Sequence, residues 1–94
     1  MTKETLIEIL EDRAELQLQI GLSDQIKFDD VHFFCMGNTG HEIHVTEDAM
    51  YKIIDILQPT IKHSELTEGY NQISFKMDLL GIPFEIFALK KKEV

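Results

Sequence analysis

A chain of 94 residues with a formal net charge of −8 is long enough to bury one core and too acidic for ordinary nucleic-acid binding, because a phosphate backbone repels it. A hydrophobic share of 44% and a charged share of 28% exclude wholesale disorder, and no apolar run reaches the length of a membrane span. The lone Cys35 cannot close an internal disulfide, and Glu4, Glu8 and Glu11 stand where a secretory signal would be basic and then oily, so a reducing cytoplasm is the expected compartment.

The first predicted element is a helix over residues 2–20. Thr2 caps it, Glu4 sits in its first turn, and Gly21 ends it. At roughly 100° per residue, Leu6, Ile7, Ile9, Leu10, Ala14, Leu16, Leu18 and Ile20 fill a broad apolar arc. Glu4, Glu8, Glu11 and Glu15 share a narrow stripe opposite, flanked by Asp12. Leu16, Leu18, Ile20 and Leu22 also alternate with polar residues and glycine, so a strand after a shorter helix competes for residues 16–22. The arc is wider than one small sheet needs. Leu18 and its neighbours therefore pack under the next connection or meet a second copy or a partner.

Residues 23–30 are polar, anchored by Ile26 and Phe28, with room for a short strand at 25–28. Residues 31–36 read as a strand, 37–40 as a turn and 41–45 as the return strand. A tip at Asn38-Thr39 sets Met36 against His41, Phe34 against Ile43 and His32 against Val45. On that register Cys35 and His44 share the other face. Phe34, Met36, Ile43 and Val45 are the expected inward set, which leaves Phe33 and Cys35 half-covered or at an interface.

Thr46 caps a second helix, with Glu47 and Asp48 in its first turn. Met50, Ile53, Ile54 and Leu57 form its core-facing stripe, and Gln58-Pro59 ends it. A brief strand over 60–65 and a turn at 67–69 lead into the last hairpin.

That hairpin, residues 72–89, is the best-specified part of the chain. Ile73, Phe75, Met77 and Leu79 alternate with polar residues, and Ile82, Phe84, Ile86 and Ala88 alternate after them. With Leu80-Gly81 at the tip, Leu79 faces Ile82, Met77 faces Phe84, Phe75 faces Ile86 and Ile73 faces Ala88. On the opposite face Lys76 meets Glu85, and a one-residue slip would set Phe75 against Glu85. Pro83 has no N–H for a ladder, which predicts an open edge near the start of the last strand. The basic run Lys90-Lys91-Lys92 reads as a solubilising end that blunts an edge strand.

Chemistry is sparsely signalled, so no enzyme and no cofactor are expected. Cys35 with His44 and Glu42 lacks an oxyanion element, and Gly37-Asn38-Thr39-Gly40 lacks the basic residue and setting of a phosphate loop. A metal site built from Cys35, His41, His44 and His63 is the alternative, but a spacing of three sends His41 and His44 to opposite faces of a strand. Two features point to a partner: the stripe Glu4, Glu8, Glu11, Glu15, which suits a basic surface, and the oily Leu18 and Phe33.

The expected fold is α+β: two helices on one face of a mainly antiparallel sheet of about four strands, in the order α-β-β-α-β-β. In size, acidity and fold class the chain looks like the small accessory proteins of phages and prophages, some of which inhibit host enzymes. That resemblance implies a non-enzymatic module acting by protein–protein contact, alone or as a homodimer.

Overall fold

The computed structural model describes residues 1–20, 25–26, 35–36, 41–67 and 69–92. Helix α1 (Lys3–Ile20) precedes three strands, β1 (Gln25–Ile26), β2 (Cys35–Met36) and β3 (Glu42–Val45). Helix α2 (Glu47–Leu57) precedes three more, β4 (Lys62–Thr67), β5 (Tyr70–Leu79) and β6 (Ile82–Lys91). The strands form one sheet in the order β1-β2-β3-β6-β5-β4. All neighbours are antiparallel except β3 and β6, which run parallel. The class is the expected α+β. The two-residue strands β1 and β2 extend the four longer ones, and β1 falls where a short strand had room.

The hairpin β5–β6 has the register that alternation predicts, from Ile73 opposite Ala88 to Leu79 opposite Ile82, with Lys76 opposite Glu85. Ile73, Phe75, Leu79, Phe84, Ile86 and Ala88 are buried on one face. Onto them pack Leu6, Leu10 and Ala14 of α1 and Ala49, Met50 and Ile53 of α2, with Ile43 and Val45 of β3 completing the core. Each large side chain so buried stabilises the fold by roughly 1.5–3 kcal/mol. The tip differs from the simple picture: Leu80 and Gly81 both have positive φ, 57° and 74°. Two consecutive residues of that kind make the tight turn whose twist matches a hairpin, and it strains Leu80.

Strand β6 is interior, flanked by β3 and β5, so the edge expected at Pro83 exists only locally. Pairing with β3 begins at Glu85, whose N–H donates to the His41 carbonyl at 2.9 Å. Strand alternation aims Pro83 at the same side, beyond the reach of β3, where no donor is needed. The lysine run also does not cap an edge strand of its own. Lys92 instead reaches Glu65 on the edge strand β4, with Nζ 2.5 Å from Oε1.

The first hairpin departs from its expected register. Cys35 pairs with Val45 and Met36 with His44, three residues from the predicted Met36–His41 pair. β3 is also paired on its other side. Glu42, Ile43 and His44 are held beside Glu85, Ile86 and Phe87, a parallel contact that local hairpin arithmetic omits. Of the expected inward set, Ile43 and Val45 are fully buried, whereas Met36 is registered opposite His44. His32, Phe33 and Phe34 lie outside the described residues.

Thr2 caps α1, its Oγ1 accepting from the Thr5 N–H at 3.1 Å. The helix runs through Ile20, which overturns the strand reading of its last turn. Its buried seam is Leu6, Leu10, Arg13, Ala14 and Gln17. These five span about 100° of the wheel, whereas Leu16 and Leu18 fall to either side of it. Gln17 completes the seam by donating from Nε2 to the Glu42 carbonyl at 2.7 Å, tying the helix to β3.

Helix α2 begins as expected. Thr46 has extended backbone (φ −70°, ψ 161°) and its Oγ1 accepts from the Ala49 N–H at 3.2 Å. It ends where proline forbids another helical residue: Gln58 turns left-handed at φ 48°, and its N–H still reaches the Ile54 carbonyl at 2.8 Å.

Candidate functional site

Helix α1 turns its carboxylates away from the sheet because its apolar seam faces it. Glu4, Glu8, Asp12 and Glu15 are exposed, and Glu11 is half-buried. From Glu4 to Glu15 the stripe is about 17 Å long, at a rise of roughly 1.5 Å per residue. Leu18, beside the stripe on the last turn, stays 39% exposed. It is a surface residue. Phe33, the second oily candidate, lies outside the described residues.

The histidines are spread over the sheet. His41 is exposed, its ring 5.5 Å from that of the core residue Phe84. His44 lies on the opposite face, stacked on Phe87 at 4.7 Å and 9° from parallel. The two therefore diverge, as their spacing requires. His63 is in β4, three strand positions from His44 in β3, a lateral distance of about 14 Å. The register that set Cys35 and His44 on one face does not form, because Cys35 pairs with Val45. Among the described residues no three His, Cys, Asp or Glu side chains converge on one point.

The face of the sheet away from the helices carries two ordered rows. One sets Lys76 beside Glu85 and Glu85 beside Glu42. The next sets Lys62 beside Ser74, Ser74 beside Phe87 and Phe87 beside His44. Gln72 and Glu85 stand on either side of the second row, and Gln72 Nε2 donates to Glu85 Oε1 at 3.4 Å. That bridge passes over Ser74 and Phe87, which are 3% and 9% exposed although no described helix covers this face. Burial pushes the His44 imidazole below its ordinary range. At the sheet edge the hydrogen bond from Lys92, and then its charge, hold Glu65 below the usual carboxylate value.

Sequence reasoning missed two groups of polar residues. Arg13 and Gln17 were not expected on the buried side of the helix, yet Arg13 is fully buried and Gln17 nearly so. The available signal was their wheel position, Gln17 between Leu6 and Leu10 and Arg13 about 20° beyond Leu6. Lys62, Ser74 and Lys76 come together only through the β4–β5 pairing, which the sequence did not specify.

No family model, no curated protein and no solved structure matches this chain.

Proposed function

We propose that this chain is a non-enzymatic protein-binding module that engages a basic partner through the carboxylate stripe of α1. It would serve as an inhibitor-type accessory protein of the kind phages and prophages encode. The observation that carries this reading is the alignment of Glu4, Glu8, Glu15 and Asp12, all exposed, on the helix face turned from the sheet. Like charges 3 and 4 residues apart oppose helix formation, which supports a role for the stripe in binding. A net charge of −8 adds long-range attraction toward a positive surface and speeds encounter with it. Leu18, exposed beside the stripe, supplies an apolar anchor for the same contact, and a second copy is the alternative occupant there.

The test is capture from a bacterial lysate by the native chain and by a variant with Glu4, Glu8, Glu11 and Glu15 changed to Gln. The stripe is the binding surface if specific partners vanish with the four charges. Retention of the same partners by the variant would remove it.

A further inference from the structure

We propose that the notch where β4 joins the sheet binds a phosphate group that carries its own O–H, held between Lys62 and Lys76. The notch encloses about 330 Å³ and is lined by Thr60, Lys62, Ser74, Phe75, Lys76 and Glu85. It is independent of the acidic stripe on α1.

Three observations converge on this assignment. First, β4 pairs with β5 only as far as Lys62 opposite Ser74. From Lys76 onward that side of β5 has no strand beside it among the described residues. Because Glu85 directs its N–H to β3, alternation across the β5–β6 ladder aims the backbone of Lys76 away from β6 and into the notch. An amide N–H there can meet an oxygen of the ligand.

Second, Lys62 and Lys76 flank Ser74 on one face, one across the ladder and one two residues along the strand. Among the described residues neither forms an ion pair, although the chain carries 17 carboxylates. Two ammonium groups set close together repel, and an anion between them reverses that repulsion. Ser74 and Thr60 also line the notch, and their hydroxyls are neutral donors.

Third, Glu85 fills one side of the notch while its Oε1 accepts from Gln72. A carboxylate in an anion site disfavours a bare anion and favours one that carries its own O–H. Hydrogen phosphate meets that requirement; sulfate does not.

The experiment is an amide-shift titration of the ¹⁵N-labelled full chain with inorganic phosphate, sulfate and acetate at fixed ionic strength. Saturable shifts confined to residues 60–62, 74–76 and 85 are expected. Saturation by phosphate but not by sulfate or acetate is expected, and equal saturation by sulfate or acetate would overturn the selection by Glu85 for an anion with its own O–H. Lys62→Gln or Lys76→Gln should weaken binding about tenfold, the loss of one charge-assisted hydrogen bond, while Lys76→Arg retains it. Both lysines are exposed, and spectra that superimpose elsewhere show that each variant remains folded. Shifts that stay linear for every anion, or binding that survives both Gln changes, would overturn the proposal.

Discussion

The imidazole of His44 lies flat on the ring of Phe87, centroids 4.7 Å apart and planes 9° from parallel, on the sheet face opposite the helices. β3 and β6 meet there as parallel neighbours, so the contact joins the two halves of the chain. The same burial that stabilises the stack lowers the His44 pKa from its ordinary 6.5.

Stability should therefore depend on pH with a defined sign. The unfolded chain takes up this proton more readily than the folded one. The contribution of neutral His44 is whole above its unfolded value and is lost as pH falls from there through the lower folded value. Denaturant midpoints measured from about pH 8 to about pH 5 should decline across the lower part of that range. His44→Phe, which keeps a ring on Phe87 and removes the titration, should flatten the decline. An unchanged slope in that variant would assign it to another group.

The tip of the β5–β6 hairpin offers a stabilising change. Leu80 adopts φ 57° and is 46% exposed, so it carries backbone strain and fills no core position. Leu80→Asn should raise stability by about 1 kcal/mol, because Asn-Gly is the preferred pair for two positive-φ residues. Gly81→Ala should lower stability by about 1 kcal/mol. An added Cβ at Gly81 meets nothing within 4 Å, so the loss would be conformational and not a clash. Equilibrium urea unfolding reads both.

Removing the Thr46 hydroxyl should expose the first turn of α2. Thr46→Ala is expected to cost about 1 kcal/mol, and Thr46→Ser only a few tenths, roughly 0.3 kcal/mol, because serine restores the acceptor for the Ala49 N–H. Equal losses in the two variants would show that the methyl group matters more than the cap.

The carboxylate stripe should cost stability. Glu4 and Glu8, Glu8 and Glu11, and Glu11 and Glu15 are neighbours along α1, and each like-charge pair opposes the helix by roughly 0.2–0.5 kcal/mol. Changing all four to Gln should leave the melting temperature equal or higher, and added salt should stabilise the native chain more than the variant. A large loss of stability would mean that these carboxylates support the fold, and the binding assay would then lose its control.

Much of this fold can be read along the chain, and the reason is proximity. The β5–β6 register follows from two alternating runs on either side of Leu80-Gly81, so every pair from Ile73–Ala88 to Leu79–Ile82 is fixed by counting outward from the turn. The Thr46 cap and the Pro59 stop depend on residues within four positions. The acidic stripe follows from helical period alone.

What the chain alone could not decide involves elements far apart in sequence. The parallel seating of β3 on β6 places β6 inside the sheet, and the first hairpin pairs three residues from its expected register. That choice depends on which distant strand offers a matching apolar face, and no local pattern encodes it. Arg13 and Gln17 enter the buried seam because the helix packs by direction and not by polarity, with the Glu42 carbonyl waiting opposite Gln17. Lys62 and Lys76 become neighbours only when β4 lies against β5 and stops at Ser74. Periodicity determined which faces are oily. The pairing of strands remote in sequence determined which side chains share a surface.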